Sequence, residues 1–180
     1  VWVFQFGQPV VPGNDDSRRL VWSCYISEDA INAANSGTGV LPVNLIESGA
    51  QKHLLAFVAN VNDGGYGWNM TPGKHTYADL KSRNYQLKTE TEERILYGDD
   101  LRNILMSGSA EVRIAEGLVI DSDTDNPAHD AGIPLTRSLA KIQLELTLGN
   151  PDYQVLSIKL HNMPNQIWFT DALNTRTDIE

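Results

Sequence analysis

An acidic loop in the second half of the chain has the residue spacing that comes nearest to a metal site. Asp121, Asp123 and Asp125 alternate with other residues, as the first ligands of an EF-hand calcium loop do. That loop also needs glycine at its sixth position, where the backbone turns sharply, and a bidentate glutamate at its twelfth. Asn126 and Gly132 hold those positions here. We therefore interpret this loop as a solvated acidic surface and expect no bound metal.

The other titratable residues do not form a catalytic pattern. Glycosidase chemistry needs two carboxylates about 5–10 Å apart across a cleft, whereas Glu92-Glu93 and Asp99-Asp100 are adjacent in sequence only and indicate solvated surfaces. The sequence contains no Gly-x-Ser-x-Gly elbow and no phosphate-binding glycine loop. The histidines lack metal-ligand spacing and are expected at the surface; they are His53, His75, His129 and His161. We predict that the protein is not an enzyme and has no cofactor.

A glycine-rich loop at residues 63–69 carries two aromatic side chains, Tyr66 and Trp68. Aromatic rings that glycines present to solvent can stack on sugar rings, and the flanking Asp63 and Asn69 are suited to bond sugar hydroxyls. Alternatively, the two rings fold back over the edge of a sheet and bury their large apolar area. We favour this second interpretation, and a carbohydrate-binding module that uses Tyr66 and Trp68 is the alternative.

The overall composition describes a globular domain with a strong negative charge. The 180 residues are 41% hydrophobic and 21% charged, with a net charge of −9 and a pI of about 4.8. A chain of this length fits one domain and can bury a core without disulfides or metals. Its charge repels the phosphates of nucleic acid and anionic membrane surfaces, so neither is an expected partner. No apolar run reaches the ~20 residues of a membrane span, and the single cysteine, Cys24, is expected to be a small buried apolar residue.

The spacing of apolar residues predicts strands over most of the chain. Within residues 1–6, Trp2, Phe4 and Phe6 share one face and the opposite face is also mostly apolar, which predicts a strand covered on both sides. Residues 140–148 alternate strictly between apolar and polar, as a half-buried antiparallel strand does. Further strands are predicted at residues 20–26, 41–46, 53–61, 110–114, 118–120 and 156–161.

A helical insertion is predicted in the middle of the chain. Thr76 and Asp79 have the spacing of a capping box, and the apolar residues that follow fall on one face of a helix over 76–87. A second short helix is predicted at 92–97, while residues 28–39 are predicted to form a loop or a short helical turn.

About eight short strands without βαβ alternation predict an all-β fold. We expect an antiparallel two-sheet β-sandwich with a short helical insertion around 76–97.

Four short stretches occur in an order that is typical of one protein family. They are residues 1–7 (Val-Trp-Val-Phe-Gln-Phe-Gly), 55–60 (Leu-Ala-Phe-Val-Ala-Asn), 106–108 (Met-Ser-Gly) and 135–142 (Leu-Thr-Arg-Ser-Leu-Ala-Lys-Ile). Together they resemble the N-terminal domain of the fimbrillin superfamily, the subunits of Bacteroidales-type (type V) pili. Leu139 departs from the family pattern, which usually has valine at that place.

The resemblance implies a transthyretin-like Greek-key sandwich over residues 1–170 and a linker at 171–180 that leads to a further C-terminal region. It also implies export across the outer membrane as a lipoprotein precursor and a place in a fimbrium at the cell surface. The opening strand and the helical insertion resemble those of large tip-like fimbrial proteins, with an anchor or stalk subunit as the alternative. The implied partners are other fimbrial subunits, through a donated strand, and a host or bacterial surface glycan or protein.

Strand donation is the mode of polymerisation that the resemblance implies. In stalk pilins of the family, an Arg-specific protease removes an N-terminal strand, and a strand from the neighbouring subunit fills the groove. The chain here opens without that preceding strand, so we expect an unpaired sheet border and an apolar groove near Trp2, Phe4 and Phe6. Arg18-Arg19 resembles a trypsin-like cleavage site; we interpret it as part of a solvated loop, because the family's cut precedes this position.

Overall fold

The fold was obtained as a computed structural model, which describes residues 1–37, 43–60, 70–86, 105–115, 118–121, 133–137, 147, 149, 154–157 and 166–168. The strands in these residues are β1 (Trp2–Phe6), β2 (Leu20–Tyr25), β3 (His53–Ala59), β4 (Asn84–Gln86), β5 (Met106–Ala115), β6 (Leu118–Asp121), β7 (Thr136–Arg137) and β8 (Gln166–Trp168). The helices are α1 (Glu28–Ser36) and α2 (Tyr77–Lys81), with a 3-10 turn at Asp15–Ser17.

Most of these strands form one antiparallel sheet, in the order β2-β1-β3-β5-β6, with β7 paired to β5. β1 lies inside this sheet, since Phe4 is opposite both Ser23 of β2 and Ala56 of β3. β4 and β8 form a separate two-stranded ladder. The described elements are thus mostly strands with few helices, and the prediction of an all-β fold class is confirmed.

One face of the main sheet carries a row of aromatic side chains, and we call it the aromatic face. Trp2, Phe4 and Phe6 share this face, as their alternation predicts, with neighbouring ring centroids 5.7 and 6.4 Å apart. Tyr25 and Tyr77 extend the row at its two ends, at 5.4 Å from Trp2 and 5.3 Å from Phe6. Phe4 and Phe6 are fully buried, together with the apolar residues Leu20, Leu54, Ala56, Val58, Met70, Leu80 and Leu105. This is the larger of the two apolar clusters in the described part of the chain.

The opposite face is covered by residues 43–48, which we call the strap. The strap is held by Gln5 of β1, whose buried side chain bonds both backbone groups of Ile46. It is also held by Ser48, whose N–H donates to the Ile114 carbonyl at 2.8 Å and whose Oγ accepts from the Ile114 N–H at 2.8 Å. We call this side of the sheet the strap face.

A smaller apolar cluster lies beneath the strap. It consists of Leu55, Val112 and Ile114, and Leu45 of the strap packs against it. The prediction of a strand at 41–46 is wrong for the residues that the structure describes there, because they have no regular secondary structure. The strap contacts β1 through the Gln5 side chain instead of through a backbone ladder.

β5 joins distant parts of the chain along its two edges. β3 pairs with one edge, while the other edge is shared by β7 at residues 106–107 and by β6 at residues 112–115. Between these two partners, the carbonyl of Pro134 occupies the space that a Cβ atom at Gly108 would need. Gly108 is therefore required by a close approach of two backbones.

α1 is longer than the loop or short helical turn that the sequence predicts for this region. Ser27 caps it by accepting a hydrogen bond from the Ala30 N–H at 3.2 Å. Glu28 and Asp29 follow in the first turn, where acidic side chains interact favourably with the helix dipole. These local signals were sufficient for a helix, although none of its residues is buried.

α2 begins where the sequence predicts and ends earlier. Thr76 and Asp79 form the expected capping box, with the Thr76 N–H donating to Asp79 Oδ2 at 2.7 Å. The helix ends at Lys81 instead of residue 87, because the chain continues into β4, which pairs with β8. The helical insertion predicted around 76–97 is thus a single short helix followed by a strand, as far as the described residues reach.

Several predicted elements lie outside the described residues. They are the second short helix at 92–97, nearly all of the strand at 140–148 and the linker at 171–180. Residues 154–157 are described and have no regular secondary structure. Leu156 among them is 85% exposed, so the strand predicted at 156–161 is wrong at its first residues.

Candidate functional site

The outer edge of β2 is a candidate site for binding another chain. β2 and β6 are the two end strands of the main sheet, and β2, with 6 residues against 4, is the longer. Val1 and Ile26 exchange two backbone hydrogen bonds, of 2.8 and 2.7 Å. Bonded and non-bonded pairs alternate along an antiparallel ladder, so Cys24 bonds β1 while Ser23 and Tyr25 turn their N–H and C=O groups outward. Apart from the Cys24 thiol, whose Sγ is 3.5 Å from the Tyr25 carbonyl, no described residue bonds these outward groups. We call the outer side of residues 21–25 the open edge.

The chain itself occupies the beginning of this edge. The Leu20 N–H donates to the His75 carbonyl at 2.8 Å, and the Gly73 N–H donates to the Leu20 carbonyl at 2.7 Å. Arg19 strengthens this contact by donating from Nη1 to the Gly73 carbonyl at 3.1 Å. The segment around Gly73 therefore marks where an added strand would have to stop.

β2 lacks the protection that natural edge strands usually carry. Charged residues, prolines and short lengths normally discourage edge-to-edge pairing, whereas residues 20–26 read Leu-Val-Trp-Ser-Cys-Tyr-Ile, without charge, proline or glycine. Their side chains are half-buried from 21 to 25, and Cys24 is half-buried where the sequence predicts a buried residue. An edge with outward backbone groups and apolar flanks is suited to the addition of a strand.

The residues predicted to line a strand-acceptor groove lie one strand away from this edge. Trp2, Phe4 and Phe6 are in β1, and both edges of β1 are paired, as Trp2 shows with Tyr25 on one side and Val58 on the other. Phe4 and Phe6 are also fully buried. A strand that extends this sheet would therefore pair with β2, beside the predicted residues.

Arg18 is buried, and the prediction of a solvated loop is wrong at this residue. It is only 3% exposed and forms ion pairs with Asp15 and Glu111. Its Nη1 also donates to the Gly7 carbonyl at 3.1 Å. Two carboxylates and a carbonyl compensate the buried charge, so Arg18 ties the turn before β2 to β5.

A second polar cluster lies beneath the strap, around His53. This residue is 7% exposed, so the expectation of a surface histidine is wrong for it. The Nε2 atom of Gln5 is 2.8 Å from His53 Nδ1 and 2.6 Å from the Ile46 carbonyl. Burial lowers the pKa of His53, and the nearby Arg18 cation lowers this pKa further. His53 is therefore neutral at neutral pH.

The remaining predicted site residues are not brought together by the described structure. Tyr66 and Trp68 lie outside the described residues, as do Asp123 and Asp125, while Asp121 ends β6. Within the described part of the chain, no group of three or more histidine, cysteine or acidic side chains is arranged to hold a metal ion. Among the described helices, none has the length and apolar character needed to cross a membrane.

The unpaired sheet border was predicted near Trp2, Phe4 and Phe6 of β1 instead of at β2, and the burial of His53 was not predicted. The open edge depends on the order of strands in the sheet, which periodicity does not reveal. His53 had a usable signal, because it opens the strand His-Leu-Leu-Ala-Phe-Val-Ala, whose other residues are all apolar.

Comparisons of the chain with protein-family models, curated proteins and solved structures found no match.

Proposed function

We propose that this domain is a structural or adhesive subunit of a cell-surface fimbria that assembles by β-strand donation, with the open edge of β2 as the acceptor. The observation that carries the proposal is that Ser23 and Tyr25 turn backbone groups outward from a strand without charged side chains. A donated strand would bond these groups and cover the apolar flanks of β2. The four fimbrillin-like stretches of the sequence support the same function.

The geometry of β2 specifies the donor strand that would fit. Residues on alternate positions of a strand face opposite sides of the sheet. Donor side chains beside Ser23 would extend the aromatic face, and those beside Trp22 and Cys24 would extend the strap face. We therefore propose a donor segment of about five residues, or ~17 Å at 3.3–3.4 Å per residue, with apolar or small side chains on both faces.

The finer architecture and the location belong to the same proposal. We propose that the β4–β8 ladder is part of a second sheet and that the two sheets form the transthyretin-like sandwich of the fimbrillins. Export as a lipoprotein precursor and a position at the fimbrial tip are proposed on the same resemblance. The sequence motifs support the sandwich, the export and the tip position, whereas the geometry of β2 supports the acceptor edge.

The substitution Ser23→Pro tests the acceptor edge. Proline removes the outward N–H of residue 23 and leaves the bonds between β1 and β2 in place, since proline is tolerated where an edge strand's N–H faces outward. We expect the variant subunit to fold but not to polymerise, as measured by circular dichroism, size-exclusion chromatography and electron microscopy of fimbriae. Ser23→Val is the matched control, because it changes the side chain and keeps the N–H.

A measurement on the unmodified subunit complements the variants. The amides of Ser23 and Tyr25 should exchange with deuterium rapidly in the isolated subunit and become protected in the polymer. Equal exchange in both states, or normal polymerisation of the Ser23→Pro subunit, would refute β2 as the acceptor. Failure of the subunit to polymerise in any form would refute the fimbrial function itself.

A further inference from the structure

The side chain of Gln5 has only one orientation that suits its surroundings. The Ile46 N–H donates to Gln5 Oε1 at 2.9 Å, and Gln5 Nε2 donates to the Ile46 carbonyl at 2.6 Å. A reversed amide would place its NH₂ group against the Ile46 N–H and its oxygen against the Ile46 carbonyl. Both contacts would then be repulsive, so the backbone of the strap fixes the direction of the amide.

This orientation determines the protonation state of His53. The second hydrogen on Gln5 Nε2 points at His53 Nδ1, 2.8 Å away. An amide NH₂ group has two donors and no acceptor, so Nδ1 must present a lone pair. His53 is therefore the neutral tautomer with its proton on Nε2. A proton on Nδ1 would set two donors against each other inside a buried cluster.

We propose that His53 acts as a pH-sensitive catch for the strap: protonation of Nδ1 expels the Gln5 amide and releases Ile46 from the sheet. Gln5 cannot turn to accept the new proton without opposing both backbone groups of Ile46. The strap yields first because Ile46 is 44% exposed and its backbone can bond water instead. Ser48 stays bonded to Ile114 and serves as the fixed end of the movement.

The charged groups around His53 determine whether its neutral or its protonated form is favoured. Arg18 is the cation that acts on it, and Asp15 and Glu111 pair with Arg18 instead of with the imidazole. β5 presents the apolar Val112 opposite His53, and the adjacent Lys52 is exposed. Asp121 is opposite Val112 on its other side, and Glu47 follows Ile46 in the strap. The charge that acts on the pKa of His53 is nevertheless the Arg18 cation, which disfavours an imidazolium.

The sign of the pH effect follows from the lowered pKa of His53. At a pH above the ordinary histidine pKa of about 6.5, the imidazole is neutral in both the folded and the unfolded chain. Below that value the unfolded chain binds a proton before the folded chain does, so the free energy of unfolding decreases as the pH falls. The strap is closed at neutral pH and opens in acid, which uncovers the apolar cluster of Leu55, Val112 and Ile114.

Amide hydrogen exchange at Ile46 tests the catch directly. We expect the protection factor of this amide, corrected for intrinsic exchange, to fall about tenfold between pH ~7.5 and pH ~5, the loss of one hydrogen bond. The β1–β3 amides should keep their protection over the same range. The matched control is His53→Asn, in which Asn Oδ1 takes the place of Nδ1, accepts the Gln5 amide and does not titrate. Ile46 should remain protected at both pH values in this variant.

Nitrogen NMR of the unmodified protein gives a second test that does not depend on a variant folding. The ¹⁵N shifts of His53 should show the Nε2–H tautomer at neutral pH and a titration midpoint below about 6.5. An Nδ1–H tautomer would overturn the proposal. The proposal would also be overturned if the protection of the Ile46 amide changed with pH to the same extent in the wild type and in His53→Asn. Neither test involves polymerisation, so the outcome is independent of the fimbrial proposal.

Discussion

Phe4 and Gln5 are neighbours in β1 and are both fully buried, yet they hold the two faces of the sheet by different means. Phe4 belongs to a row of aromatic rings within a large apolar cluster. Gln5 forms three hydrogen bonds to a histidine and to the backbone of the strap. The aromatic face is thus stabilised mainly by burial of area, and the strap face by polar contacts of fixed geometry.

Because of this contrast, the two faces should respond differently to a change of pH and to the substitution of a side chain. Burial of apolar surface is non-directional and does not depend on pH. A buried hydrogen-bond network has a small net value, but it is costly when one member is removed and the others remain buried. The aromatic face should therefore contribute most of the stability of the domain, while the strap face should be the side whose contacts depend on pH.

The largest effect is expected from Phe4→Ala. Removing a buried ring from the aromatic row leaves a cavity, and the free energy of unfolding should fall by about 3–5 kcal/mol. Urea denaturation followed by tryptophan fluorescence measures the change. Val11→Ala is the control, because Val11 is 53% exposed, and it should change the stability by less than about 0.5 kcal/mol. A loss from Phe4→Ala smaller than that from Gln5→Met would reverse the ranking of the faces.

Gly108→Ala is expected to have the next largest effect. The added methyl group would overlap the Pro134 carbonyl, and since that atom belongs to the backbone, β5 or the segment at Pro134 must move. We expect a loss of about 3 kcal/mol, as for overpacking of a tight site. Gly149→Ala is the matched control, because no atom of the described residues, its chain neighbours aside, lies within 4 Å of its Cβ position. Equal melting temperatures for the two variants would contradict the close approach.

Gln5→Met replaces the buried amide by an apolar side chain of similar size. The Ile46 backbone and His53 then lose their partner, and we expect a loss of about 2 kcal/mol, limited by hydration of the exposed strap. The exposed Gln8, whose Nε2 donates to the Lys52 carbonyl at 3.0 Å, provides the control Gln8→Met. In urea denaturation at neutral pH, Gln8→Met should have the same free energy of unfolding as the wild type. If Gln8→Met lost as much stability as Gln5→Met, the buried amide of Gln5 would have no special role.

Thr76→Ala should have the smallest effect of the four. It removes the capping box of α2, which places Leu80 on the aromatic face, and should lower the stability by about 1 kcal/mol. Thr76→Ser retains the hydroxyl and should restore most of that value in thermal unfolding. If Thr76→Ala is silent, α2 is positioned by the burial of Leu80 and not by its cap.

Patterns that depend on neighbouring residues in sequence were predictable. The alternation of Trp2, Phe4 and Phe6 correctly placed the three rings on one face, because side-chain direction in a strand has a period of two. The capping box likewise located the first residue of α2. In each case the spacing of a few residues determines the geometry, whatever the rest of the chain does.

Features that depend on distant pairing were not predictable. The strap at 43–48 has strand-like spacing, but it binds a glutamine side chain and remains irregular. Helical periodicity runs past Lys81, yet β4 begins soon after because β8 pairs with it. For the same reason β2 could not be recognised as an edge strand: its exposure depends on which strands occupy the other positions of the sheet.

The pairing of β3 with β5 has a consequence for how the domain folds. Residues 60–105 separate these two strands in sequence, so the sheet can close only after a long loop has been brought together. Contacts of such separation are typical of slowly folding proteins. During this delay β3 would have an uncovered edge in addition to that of β2, and both are apolar. During synthesis, this edge of β3 gains its full partner only after the chain has been extended past Ala115.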